Sequence, residues 1–278
     1  MNIIGAEGLK AEELWPIVAV ELWQTQIAFA IGILGMYAGW RGAISKMTGF
    51  FDLAGAVRYL VYGIVSGMIL AIFVDSIILT SIIKSSLNIR GVSLFAILIG
   101  AAEASFVLFL LSRKRVFSVR ASPPHGWTLG LGIGSMQACV LVYRLFDEEL
   151  SSDYSGMSPF SISLAFAIAL TSCLGHALLA TWQGAKILES NRALPLIISA
   201  AARGALIVCL VLSLFLPMAV LVPTPFIAFF WFRAQEEWLP SGLTPAAKQA
   251  FRRTVRQADI HRERSEGRIR GKSTESEE

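Results

Sequence analysis

Seven long apolar runs limit what this chain of 278 residues can fold into more than any other feature of its sequence. A helix needs about 20 apolar residues to cross the hydrocarbon core of a bilayer, and six of the runs have about this length. Charged residues make up only 16% of the chain, well below the level of a soluble globular domain. The sequence therefore predicts an all-α, polytopic membrane bundle of about seven transmembrane helices. The predicted spans are Ile17–Tyr37, Val57–Leu79, Val92–Leu111, Trp127–Phe146, Phe160–Thr181, Leu194–Phe215 and Met218–Phe232.

The distribution of Lys and Arg predicts how the bundle is oriented. Most of the 24 basic residues lie in alternate connecting segments and in the C-terminal tail, and segments rich in Lys and Arg stay in the cytoplasm. The loop after the fourth run instead carries Asp147, Glu148, Glu149 and Asp153, with no base after Arg144. We therefore expect a multi-pass protein of the cell membrane with its N-terminus outside and its C-terminus in the cytoplasm.

The sequence predicts three parts along the chain. Residues 1–16 are expected to form an extracytoplasmic N-terminus, and the lack of a cationic segment there indicates a retained first helix and not a cleaved signal. Residues 17–232 form the predicted transmembrane domain, whose short seventh run contains Pro223 and Pro225. These prolines predict a kinked, tilted or partly re-entrant element.

Residues 233–278 form a basic cytoplasmic tail with an expected amphipathic helix. Thr244 before Pro245 is typical of a helix start, and Phe251 and Val255 lie at helical spacing among Lys and Arg residues. Such a helix would lie on the inner membrane surface and contact anionic lipid headgroups. After Ser265 the polar sequence predicts a disordered end. The net charge of +4 is explained by orientation and lipid contact, so we expect no nucleic-acid partner.

Small residues recur four positions apart in several runs. Examples are Gly63 and Gly67 in the second run, and Gly130 and Gly134 in the fourth. Small residues at this spacing let helix backbones approach closely, so a compact bundle is expected.

Ionisable residues inside the apolar runs are the main candidates for function. A carboxylate at bilayer depth costs about 3 kcal/mol on insertion scales, so it is usually there to bind, pair or react. At about 1.5 Å of rise per residue, Glu103, Gln137 and Arg203 fall near the middle of the membrane, with His176 somewhat nearer the cytoplasm.

Two arrangements of these residues are open. In one, Glu103 pairs with Arg203, and Asp75 pairs with Arg144 in an outer layer, so that each pair cancels a desolvation cost. In the other, Glu103 lies beside His176, where a desolvated carboxylate would activate a water and the imidazole would orient it or stabilise an oxyanion. A polar cavity open to water would favour the second arrangement, and a dry, sealed core the first.

The order of polar motifs along the chain resembles a known superfamily. The sequence AAEASFVLFLLSRKR contains Glu103, a turn with PPHGW follows, then GLGIGSMQA contains Gln137, and GHALLATW contains His176. This order resembles the membrane-embedded glutamic peptidases, with the YhfC-like and PrsW-like families as the closest members. The resemblance implies an intramembrane peptidase with Glu103, His176 and Gln137 at the site and a membrane protein or peptide as substrate.

The motifs also depart from the family pattern. Ala102 precedes Glu103 where the family has a second Glu, Val107 replaces an Arg, Ile133 replaces a His, and Gln137 replaces a Glu. Because of these departures, the chain could be either an active peptidase or an inactive relative of one. The alternatives are a non-catalytic scaffold or partner-binding membrane subunit, and then a small ion or solute transporter. No cofactor is expected, and a single His without neighbouring ligands argues against zinc.

Overall fold

The computed structural model describes residues 20–84, 88–150 and 152–269, and within these residues it contains helices and no strands. The α-helices are α1 (Leu22–Gly42), α2 (Leu53–Phe73), α3 (Thr80–Ile83), α4 (Ile89–Leu111), α5 (Lys114–Ser118), α6 (Ser122–Leu145), α7 (Pro159–Leu188), α8 (Ala193–Leu212), α9 (Thr224–Arg233) and α10 (Pro245–Ile269). Short 3₁₀-helices occupy Ile44–Met47, Glu148–Leu150, Pro217–Leu221 and Leu239–Gly242, and π-helices occupy Val74–Leu79 and Ala234–Trp238.

Among the described residues, seven helical elements are long and apolar enough to cross a membrane, which confirms the predicted fold class. They are Leu22–Met47, Leu53–Ile83, Arg90–Leu111, Ser122–Leu145, Pro159–Leu188, Ala193–Leu212 and Pro217–Gly242. Each overlaps one predicted span, although the predicted start of the first span at Ile17 lies outside the described residues. The seventh element is broken into 3₁₀, α, π and 3₁₀ segments, as its prolines predict.

Local sequence signals explain several helix ends. The Asn88 side chain accepts a hydrogen bond of 2.9 Å from the backbone N–H of Gly91 at the start of α4. Ser158 caps α7 in the same way by accepting from the N–H of Ser161 at 3.0 Å, with Pro159 as the first helical residue. Such caps satisfy N–H groups that have no partner within the helix.

The fourth span starts earlier than the sequence predicted. The PPHGW motif was expected to lie in a turn, but α6 begins at Ser122 and includes this motif in its first two turns. Pro123 and Pro124 fit there because the first N–H groups of a helix have no intrahelical acceptor.

Helix α6 lies at the centre of the bundle. It packs against α1, α2 and α7, while α4 packs mainly against α8, and α7 also contacts α8. In its membrane-crossing window 83% of the residues are buried, against 17% in the seventh element. Glycines permit this position: a Cβ on Gly130 would overlap the carbonyl of His176 in α7, and one on Gly132 would overlap the carbonyl of Leu60 in α2.

The tail helix is present, but its apolar stripe packs against the protein. Thr244 accepts a 3.4 Å hydrogen bond from the N–H of Ala247, as expected for the N-cap residue of this helix. Phe251 is buried and makes an edge-to-face contact with Phe50, with ring centroids 5.4 Å apart. This side chain is therefore not free to insert into a membrane surface. The helix also continues to Ile269, past the predicted end at Ser265 and through Gly267, a poor helix former.

Candidate functional site

Four helices bring their polar side chains together in the middle of the bundle. Helix α4 supplies Glu103, α6 supplies Gln137, α7 supplies His176, and α8 supplies Arg203. Glu103, His176 and Arg203 are completely buried, and Gln137 is 3% exposed. We call these four residues the central network. All three residues predicted for a catalytic site, Glu103, His176 and Gln137, belong to it.

One carboxylate oxygen of Glu103 holds the network together. Its Oε1 atom accepts a hydrogen bond of 2.7 Å from the Nε–H of Arg203. The same atom lies 2.7 Å from Nδ1 of His176. The predicted pairing of Glu103 with Arg203 is thus confirmed, and the alternative contact with His176 is present at the same time.

The charges of the network balance when His176 is neutral. Arg203 keeps its proton under all ordinary conditions, and an ionised Glu103 cancels its charge. A protonated imidazole would leave a net positive charge in a fully buried site, which is costly in a low-dielectric interior. We therefore infer that Nδ1 of His176 donates to Glu103, and that the ring's other nitrogen carries no hydrogen.

Gln137 lies against the other nitrogen of the His176 ring. Nε2 of His176 lies 3.0 Å from the amide oxygen Oε1 of Gln137. A neutral ring that donates from Nδ1 needs a donor at Nε2, and the amide NH₂ supplies one after a half-turn of the amide plane. Gln137 thus positions the imidazole. Its amide does not titrate, so it cannot act as a general acid or base.

Two further polar residues hold the guanidinium of Arg203 from the other side. Its Nη1 donates to Ser199 Oγ, and to the amide oxygen of Gln183 at 3.3 Å. Gln183 in turn donates from Nε2 to the backbone carbonyl of Ala104 at 2.8 Å. Both side chains are completely buried. Sequence analysis missed them, although Gln183 lies two turns after His176 and Ser199 one turn before Arg203, on the same helix faces.

Three polar atoms of the network have no hydrogen-bond partner among the described residues. They are Oε2 of Glu103, Nη2 of Arg203 and, before the half-turn of the amide described above, Nε2 of Gln137. If Glu103 acted as a general base, its unpartnered Oε2 would accept the proton. It is buried, so no bulk water reaches it in this conformation.

The outer layer predicted from sequence is also present. Arg144 donates from Nε to Asp75 Oδ1 at 2.7 Å and from Nη2 to Asp75 Oδ2 at 2.8 Å. Asp147 lies 3.4 Å from Nη1 of the same guanidinium. The Arg144 and Asp75 side chains are 28% and 18% exposed, so this pair is less desolvated than the central one.

Within the part of the chain that the structure describes, no cluster of three His, Cys, Asp or Glu residues is arranged to hold a metal ion. The three cysteines, Cys139, Cys173 and Cys209, are free thiols. Comparison of the chain with protein-family models, curated proteins and solved structures gives no match.

Proposed function

We propose that this protein is a non-catalytic scaffold or partner-binding subunit of the cell membrane. The observation that carries the proposal is that Glu103 is fully buried and already paired. Its Oε1 is engaged by both Arg203 and His176, and none of the three side chains has any exposed surface. A buried charge with two such partners is typical of a structural ion pair.

The chemistry of a general base supports the same proposal. A base must reach the proton it removes, directly or through one water, and its substrate must reach the site. Glu103 instead lies among four packed helices, and Arg203 already neutralises its charge. Arg203 also has no counterpart among the residues that the peptidase resemblance assigns to catalysis.

The glutamic intramembrane peptidase is the second candidate, and a specific observation favours it. The three residues singled out by that resemblance lie on three different helices, and yet they are hydrogen-bonded in series. Oε2 of Glu103 also lacks a partner, as an atom that activates water would in a closed resting state. In this proposal the helices around Glu103 separate to admit water and a peptide.

The proposed partners follow from the surface of the molecule. The spanning helices contact the lipid bilayer, and a membrane protein would bind through their lipid-facing side chains. On α10, Phe251 packs against the bundle while Arg252, Arg253 and Arg256 are exposed. We propose that these arginines face anionic lipid headgroups at the cytoplasmic surface.

Water access to the central network tests the scaffold proposal. In a background where Cys139, Cys173 and Cys209 are replaced by Ala, Gln137→Cys places a thiol beside His176 and leaves the Glu103–Arg203 pair intact. Because thiol modification requires access and a thiolate, we expect a charged, water-soluble thiol reagent to modify this cysteine at least about tenfold more slowly than Ser118→Cys at the exposed end of α5. Phe109→Cys on α4, 61% exposed on the lipid-facing surface in the wild type, is the control for an apolar environment.

A cleavage assay completes the test. The full-length protein and its Glu103→Gln variant are reconstituted with a panel of single-span membrane proteins. The scaffold proposal expects no cleavage by either protein. Cleavage by the wild type that Glu103→Gln abolishes, or rapid modification of Gln137→Cys, would overturn it in favour of the peptidase.

A further inference from the structure

A half-open cavity of about 360 Å³ lies between α7, α8 and the broken seventh element. Gly175 and Leu178 of α7, Ala202 and Cys209 of α8, and Phe226 of α9 contribute to its wall. All of its lining residues belong to membrane-spanning elements. The cavity is separate from the central network, although Gly175 and Ala202 directly precede His176 and Arg203 in the chain.

The sequence explains why the helices leave this space. Gly175, Ala202 and Ala205 present almost no side chain to it, and Leu206 packs against Gly175 at its base. On the opposite side, α9 has no fully buried residue and is preceded by a 3₁₀ segment that begins at Pro217. The seventh element therefore lies against the bundle without filling the gap between α7 and α8.

The lining determines what chemistry the cavity would accept. Its side chains are aliphatic or aromatic, apart from the thiol of Cys209. A polar or charged ligand would lose its hydrogen bonds to water there and gain none in return. An apolar ligand would bury its surface at no such cost.

The size of the cavity separates a lipid chain from a transmembrane helix of a partner. From Ala202 to Cys209 the wall follows α8 for about 10 Å at 1.5 Å per residue. A transmembrane helix of a partner runs through about 30 Å of hydrocarbon, about three times the length of this wall. An acyl chain is flexible and thinner than a helix, so a part of its length fits a cavity of about 360 Å³.

The cavity also continues into the lipid-facing surface of the bundle. Phe226 is 65% exposed and Val222 is 57% exposed, and both line the cavity. In a membrane these faces contact acyl chains, since the spans themselves contact the bilayer. An acyl chain therefore reaches the cavity from the side, without crossing a polar barrier.

We infer that the cavity binds one acyl chain of a phospholipid from the surrounding bilayer and holds it longer than ordinary lipid at the protein surface. The bound chain fills the space between α8 and α9 and so fixes the position of the seventh element. This site is independent of the role of the central network, because it requires only that the bundle lies in a membrane.

Native mass spectrometry of the full-length protein tests the inference. After exchange from lipid into detergent, the wild type should retain one phospholipid per molecule. Ala202→Trp places a large side chain in the cavity and should lower the retained fraction at least about fivefold, because the indole occupies the space of the acyl chain. Ala201→Trp is the matched control: it is the neighbouring residue on α8, is exposed, and does not line the cavity.

The position of the lipid is tested with a phospholipid that carries a photoreactive diazirine in the middle of one acyl chain. Crosslinks should concentrate on peptides with Cys209 and Phe226, and Ala202→Trp should remove them while Ala201→Trp does not. If Ala202→Trp fails to fold, Ala205→Trp serves instead. Equal retention by the Ala201 and cavity variants, or crosslinks no more frequent than at Phe109 on the lipid-facing surface of α4, would overturn the inference.

Discussion

Breaking the central ion pair from either side gives the sharpest test of how the bundle is held together. Arg203→Met removes the guanidinium and leaves the buried carboxylate of Glu103 with His176 as its remaining partner. Glu103→Gln removes the negative charge and leaves Arg203 in a completely buried position with only neutral partners. In each case one charge stays in the core without its counter-charge.

The burial of both partners sets the expected magnitude. Removing one member of a buried ion pair costs about 3–5 kcal/mol, because the other charge remains desolvated. The double variant Glu103→Gln/Arg203→Met carries neither charge, so it loses only hydrogen bonds, at about 1–3 kcal/mol. We therefore expect the double variant to be at least as stable as the better single variant, with a non-additivity of at least about 3 kcal/mol.

Unfolding in mixed micelles by a denaturing detergent measures these free energies, with tryptophan fluorescence as the signal. Trp127 on α6 is completely buried and reports on the core. The control is the outer pair, through Asp75→Asn, Arg144→Met and their double variant. Since this pair is partly exposed, its coupling should be smaller than that of the central pair.

One result would refute the reasoning. If the two single variants at Glu103 and Arg203 destabilise additively in the double variant, the two charges do not compensate each other. The central network would then not be a structural ion pair, and the argument for a scaffold would lose its basis.

Three further predictions concern other parts of the molecule. Gly130→Ala should lower stability by about 1–3 kcal/mol in the same unfolding assay, because the new methyl group would overlap the carbonyl of His176; wild-type stability would contradict the close packing of α6 and α7. Phe251→Ala should speed tryptic cleavage at Arg252 and Arg253, because the contact with Phe50 that holds α10 is lost; an unchanged cleavage rate would show that α10 is held in another way. A reporter active only in the cytoplasm should score inside when fused after Glu278 and outside when inserted at 147–153, and the reverse at either site would contradict the predicted orientation.

Hydropathy was enough to predict the fold class, because a membrane span must be apolar over its whole length. The helix ends were less predictable. PPHGW looks like a turn in the sequence, and yet Pro123 and Pro124 lie in the first turn of α6, where proline is tolerated. The stripe around Phe251 predicts an amphipathic helix, but the surface it covers depends on tertiary packing. Phe50, some 200 residues earlier in the chain, provides that surface.

The depth of the central residues in the membrane was predictable from the sequence, but their contacts were not. Counting residues along each span placed Glu103, Gln137 and Arg203 at one level, with His176 close to it. It could not give the rotation of each helix about its axis, which decides the partners. The Glu103 contacts of both arrangements are present, because a single carboxylate oxygen accepts from two donors. Gln183 was not singled out, since its link to Arg203 becomes visible only when α7 and α8 are packed together.

The same contacts hold the four central helices together more tightly than the seventh element at the edge of the bundle. The central network joins α4, α6, α7 and α8 by hydrogen bonds between buried side chains, so moving any one of these helices away from the others breaks at least one such bond. The seventh element is only 17% buried in its membrane-crossing window and borders the apolar cavity. Its displacement exchanges protein contacts for lipid contacts of nearly equal apolar character. A change in the lipid or in a bound partner should therefore move the seventh element first, while the four central helices keep their arrangement.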